Sequence, residues 1–217
     1  MIPLKDDNPT RSFPFVNIGL ILANVAMFVY QVSMPPRVAQ AFILHNATIP
    51  ARIPAAIAGH APFELAFFPL LTSMFLHSGL MHLLGNMLFL WIFGDNVEDE
   101  FGRFFYLLFY LVCGIGSGLL HVLFNLNSHV PAIGASGAIS GVMGAYIVLF
   151  PRAKVLTFFF IFLVPIPAFF ILGYWFALQF LEAVAQFGTM SNGGVAVWAH
   201  VGGFVMGVLI TLAVKRR

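Results

Sequence analysis

Long apolar runs separated by short polar connections fill the chain, and this pattern predicts six membrane-spanning helices. They lie at residues 15–32, 70–93, 104–124, 136–150, 168–187 and 195–214. The fourth run has only 15 residues. At helical rise that is roughly 22 Å, short of a hydrocarbon core of ~30 Å. Residues 154–164, KVLTFFFIFLV, are apolar but too few to cross, and Pro165 and Pro167 break a helix there. The stretch 154–167 therefore reads as an interfacial connection. The connection 33–69 carries Pro35, Pro36, Pro50, Pro54 and Pro62 together with apolar clusters such as PFELAFF. It reads as a long first outside loop lying partly in the membrane interface. No internal repeat or low-complexity linker divides the chain, so the expectation is one all-α transmembrane domain over residues 1–217, with a short central fourth helix.

Composition turns the pattern into a membrane assignment. Of 217 residues, 60% are hydrophobic and 8% charged, against about 25% charged in soluble domains. A single soluble core cannot hide that much apolar surface, so the lipid bilayer is the expected surrounding. Charge placement then orients the spans. With the N-terminus inside, Lys5, Arg11, Arg103, Arg152, Lys154, Lys215, Arg216 and Arg217 are inside, and only Arg37 and Arg52 are outside. That bias predicts both termini on the cytoplasmic side. The segment MIPLKDDNPTRSFPF lacks the features of a cleaved leader. A compact six-span chain suits a prokaryotic cytoplasmic membrane. No basic stripe suggests a nucleic-acid partner, and the lone Cys113 sits inside an apolar run.

Ionisable groups inside spans are costly and mark function. Here they are His77, His82, His121 and His200, while all eight acids fall in span ends or connections. An aspartyl intramembrane protease lacks its two aspartates here. A zinc protease lacks its HExxH helix, and no metal or cofactor is expected. Ser136 precedes Arg152 by 16 residues and His200 precedes Lys215 by 15. These spacings put both roughly 22–24 Å above the inner interface. His82 and, four residues on, Asn86 lie in the outer half of the second span on one helix face. Gly137, Gly141 and Gly144 on the fourth span, and Ala199, Gly203 and Gly207 on the sixth, allow close packing that points His200 at its neighbour.

Taken singly, each feature has an ordinary reading. Ser136 suits helix packing or an N-cap, and His82, Asn86 and His200 suit interhelical hydrogen bonds. Together at one depth, a hydroxyl, an imidazole and two further donors are the parts of an acyl-transfer site. No carboxylate orients the base, so the arrangement would be a dyad.

Four stretches carry a resemblance: HSGLMHLLGNM (77–87), GDNVEDEFG (94–102), GASGAISGVMG (134–144) and AHVGGFVMG (199–207). With them the chain resembles the rhomboid intramembrane serine proteases of the basic six-span type. The resemblance implies a rhomboid-like bundle in which Ser136 is the nucleophile and His200 the base. It implies that His82, Asn86 and the Ser136 amide line the oxyanion site, and that Glu98 is a structural acid at the inner end of the second span. His77 and Ser140 are candidates to line a water-accessible cavity. Transmembrane segments of other proteins are the implied substrates, approaching laterally past the fifth span or the outside loop. The alternative is an inactive relative that binds transmembrane clients. Two positions depart from the family pattern. Phe68 and Pro69 stand where Trp-Arg is common, and Ser140 stands where an aromatic residue commonly packs on the catalytic histidine.

Overall fold

The computed structural model describes residues 1–186 and 196–215. The expected span limits Phe187 and Val195, and the charges Arg216 and Arg217, lie outside the described residues. Strand β1 (Ile2–Asp6) leads into α1 (Phe15–Ser33). Four short helices fill the long connection: α2 (Pro36–Asn46), α3 (Arg52–Ile57), α4 (Phe63–Phe67) and α5 (Pro69–Thr72), with a 3₁₀ turn at Ser73–Phe75. Then come α6 (Leu80–Phe101), α7 (Arg103–Phe124), α8 (Ser136–Leu149), β2 (Lys154–Phe159), β3 (Phe162–Pro167), α9 (Ala168–Gln186) and α10 (Val197–Lys215). Five of these, α1, α6, α7, α9 and α10, are long and apolar enough to cross a membrane. The fourth expected span, α8, has 14 residues, about 21 Å of helix.

Helix α8 is the centre of the bundle. Every residue from Gly137 to Tyr146 is buried, which a helix apolar on all faces requires. It packs against α6, α7 and α10. The close approach of α8 and α10 rests on glycine. A Cβ on Gly203 would fall on the carbonyl of Gly137, and one on Gly207 on the carbonyl of Gly141. Gly137 and Gly141 divide their roles. Their carbonyls face α10, while the space their side chains leave is taken by Ser117 and Cys113 of α7. Gly137, Gly141, Gly144, Gly203 and Gly207 all stand at close interhelical contacts, and Gly137 and Gly141 face both neighbours.

Two expectations are corrected. The second span does not run over 70–93: α6 starts ten residues later and continues to Phe101. Its start is set by the break at His77, Ser78 and Gly79, where Gln31 of α1 holds the chain. The Gln31 amide donates to the His77 carbonyl at 3.2 Å, and its oxygen accepts the His77 N–H at 3.1 Å. Its far end stays helical because the acidic stretch has partners. Glu98 accepts the N–H groups of Val16 and Asn17 at 3.1 and 2.7 Å, satisfying donors that the first turn of α1 leaves open. Asp99 accepts from Arg11 and Ser12. Glu98 is thus a buried acid that ties α6 to the start of α1.

The second correction is that the fold is not all-α. Residues 154–167 form a β-hairpin, and β1 adds to it as a third antiparallel strand, giving the order β1-β2-β3. In β2, Val155 and Thr157 point inward and alternate with more exposed neighbours, the period of a strand. Pro165 and Pro167 forbid helix but are tolerated on β3, an edge strand. The sheet also secures Asp6, whose carboxylate accepts the Tyr146 hydroxyl from α8. Burial holds the Asp6 carboxyl above its ordinary range, although the Tyr146 hydrogen bond opposes this.

Candidate active site

Ser136 is the first residue of α8 and is half-buried. The cap position belongs to Ala135, and no side chain caps the helix. The hydroxyl of Ser136 instead lies 2.8 Å from His200 Nε2. The capping reading of Ser136 therefore does not hold. Its backbone N–H belongs to the first turn, where amides have no intrahelical acceptor and the helix end favours negative charge.

His200 sits in the first turn of α10, 9% exposed. Both ring nitrogens are engaged. Nε2 meets Ser136, and Nδ1 meets the side-chain oxygen of Gln179 on α9. An amide oxygen only accepts, so the proton belongs on Nδ1 and the Nε2 lone pair receives the serine hydroxyl. The ring of Trp175, one turn before Gln179, stands 5.9 Å from the imidazole. The aromatic neighbour missing at position 140 is thus supplied by α9.

His82 and Asn86 of α6 lie against the backbone at Gly134. Gly134, two residues before Ser136, has a φ of +128°, which side chains rarely adopt. A Cβ there would come within 2.8 Å of His82 Nε2 and 3.6 Å of Asn86 Nδ2, so glycine is required by conformation and by space. Ser78 donates its N–H to His82 Nδ1 at 3.4 Å, and its hydroxyl lies 3.0 Å from the same atom. That leaves Nε2 to carry the proton facing the Gly134 backbone. Asn86 Nδ2 donates to His77 Nε2 at 3.0 Å.

A cavity of about 40 Å³ adjoins Ser136; Thr48, Ser73, Ser117 and His121 line it together with a larger number of apolar residues. That is room for about one water molecule. Neither His77 nor Ser140, the two candidates for lining a cavity, borders it. His77 is buried against Asn86 and His82. Ser140 is fully buried at the α8–α10 contact, its hydroxyl donating back to the Ser136 carbonyl at 2.6 Å. Its Cβ stands against Gly203 of α10. At the other departure, Phe68 points outward and Pro69 offers its carbonyl to the Thr48 hydroxyl at 3.0 Å. Thr48 also pairs with Ser73, so the loop is tied down through hydroxyls.

Sequence reasoning missed Gln179 and Trp175. A lone amide within an apolar span was the available signal, since such a group must find a partner in lipid. In sum, the structure brings together Ser136 and His200 in direct contact and sets His82 and Asn86 beside the backbone leading into Ser136. A hydroxyl, an imidazole lone pair aimed at it, and nearby N–H donors can perform nucleophilic acyl transfer.

Comparison with known proteins agrees with the resemblance. A family model described as a Rhomboid domain matches residues 64–217. The chain is 35% identical over 144 residues to "Rhomboid protein 1, mitochondrial" of Saccharomyces cerevisiae, covering 63% of this chain and 39% of that protein. It is 34% identical over 138 residues to "RHOMBOID-like protein 6, mitochondrial" of Arabidopsis thaliana, covering 64% and 40%. With "RHOMBOID-like protein 12, mitochondrial" of the same plant it shares 26% over 217 residues, covering 93% and 59%. The chain thus spans less than two thirds of the length of each of these relatives. These relatives give the expected prokaryotic membrane no support.

Proposed function

The chain belongs to the rhomboid family, and from that premise we propose that it is an intramembrane serine endopeptidase that cuts transmembrane segments of other membrane proteins near their outer ends. The observation that carries this reading is the 2.8 Å contact between Ser136 Oγ and His200 Nε2, made by residues 64 positions apart on two helices held together by glycine.

In this mechanism Ser136 Oγ attacks the scissile carbonyl carbon as its proton passes to His200 Nε2. The oxyanion is stabilised by the Ser136 N–H, His82 Nε2–H and the Asn86 amide. Collapse breaks the C–N bond, and His200 returns its proton to the leaving amine. Water then attacks the acyl ester on Ser136, again losing a proton to His200; collapse breaks the C–Oγ bond, His200 returns that proton to Ser136 Oγ, and the carboxylic acid product leaves. The water-sized cavity beside Ser136 could hold the hydrolytic water. A helical substrate must first unwind to expose a carbonyl, so segments with Gly, Pro or other weak helix formers near the cut are favoured. We place the dyad toward the outside, following the charge bias, with lateral approach past α9. A disulfide pinning α9 to α6 is expected to stop cleavage of full transmembrane substrates, and unimpaired cleavage would exclude that route.

The test of the reaction is cleavage of a labelled transmembrane substrate by the purified chain beside Ser136→Ala and His200→Ala. Both variants are expected to lose cleavage while keeping their fold. Cleavage surviving Ser136→Ala would reject the mechanism. Wild-type protein that binds such a segment without cutting it would make the chain a client-binding relative.

A further inference from the structure

The dyad has a third participant that its chemistry does not name. Gln179 reaches His200 Nδ1 from α9, and Trp175, four residues earlier on the same helix face, places its ring beside the imidazole. Its immediate neighbours on α9 are Ala177, Leu178, Phe180 and Leu181, and Glu182 follows one turn on. An amide among such apolar neighbours is costly in lipid unless it is bonded. Its bond is to the one nitrogen of His200 that does not face Ser136.

We propose that Gln179 is a positioning residue for the base: its oxygen holds the His200 proton on Nδ1, so that Nε2 presents a lone pair to Ser136. This deepens the protease reading and rests on it. The alternative tautomer would put a proton on Nε2, aimed at the serine, and block proton transfer from the hydroxyl. When Nε2 takes the serine proton, both nitrogens carry hydrogen and Nδ1–H still needs an acceptor, which Gln179 supplies. An amide does this without adding charge beside the ring. Because Gln179 rides on α9, the competent tautomer also depends on that helix being seated against α10.

Other titratable groups face His200 from its neighbours: His82 on α6 and His121 on α7. Glu182 stands three residues beyond Gln179 on α9. All three stay unchanged in the variants proposed below.

The experiment compares wild type, Gln179→Met, Gln179→Glu and Ser136→Ala as purified full chains cutting a labelled transmembrane substrate across pH. Methionine keeps the volume and suits the span. It is expected to lower kcat about tenfold or more, with KM changed less than about threefold. Glutamate adds charge next to the imidazolium. It is expected to recover part of kcat and to move the acid limb of the pH profile upward by about one unit. Imidazole ¹⁵N spectra of His200 are expected to show one Nδ1–H tautomer in wild type and a mixture in Gln179→Met. A Gln179→Met kcat within threefold of wild type, an unmoved pH limb in Gln179→Glu, or an unchanged tautomer would each overturn the proposal. Cleavage persisting in Ser136→Ala, or none in wild type, counts against the protease reading instead, and the ¹⁵N spectra still decide the role of Gln179.

Discussion

Replacing Gly203 by alanine tests whether helix spacing sets the dyad. Gly203 lies three residues from His200, and it meets the carbonyl of Gly137, the neighbour of Ser136. A Cβ built there falls on the Gly137 carbonyl oxygen, far inside the 3.0 Å below which real Cβ atoms essentially never come. The helices must therefore part by about 1 Å at this level, and Ser140 Cβ at 3.2 Å blocks a sideways escape. The Ser136–His200 distance of 2.8 Å would then stretch to about 4 Å, past the range of an O–H···N bond. Misplacement by 1 Å can cost about a hundredfold, so we expect kcat to fall about a hundredfold. Forcing a methyl into a packed contact should also cost about 1–3 kcal/mol. The assays are substrate cleavage and thermal unfolding in the same detergent. Gly19→Ala is the control, because a Cβ there meets nothing within 4 Å. Wild-type kcat and unfolding in Gly203→Ala would refute the claim that glycine contact positions the dyad.

Glu98→Ala removes the acceptor for two N–H groups of α1 and should cost about 2–4 kcal/mol, as buried charge-assisted bonds do; thermal unfolding measures it. Ser140→Ala removes a hydroxyl that bonds only back to the Ser136 carbonyl, so kcat should stay within about threefold of wild type; a larger loss would return Ser140 to the site. For Asp6 the folded carboxyl holds its proton above the ordinary value of 3.8. The folded state thus binds more protons than the unfolded one in that window, and stability falls as pH rises from 3.8 through the folded value. Asp6→Asn should flatten that decline in unfolding midpoints measured across pH.

Much of this was legible in the chain itself. Membrane residence and the approximate position of most spans follow from hydropathy summed over about 20 residues, a local property that needs no partner. Ser136 and His200 stood out because polar groups at one depth in apolar runs are expensive, and Gly203 and Gly207 because their spacing puts them on one face. Folding alone decided the rest. The length of α6 depends on Glu98 and Asp99 finding α1 and Arg11 more than 80 residues away. The sheet depends on β1 pairing with a strand about 150 residues later. Ser140, polar enough to suggest a cavity, is buried because α10 lies against it. Gln179 is one amide in an apolar helix until α9 packs beside α10 and brings it to His200. Local pattern fixes what a residue can tolerate, and only the packing of distant segments decides which partner it meets.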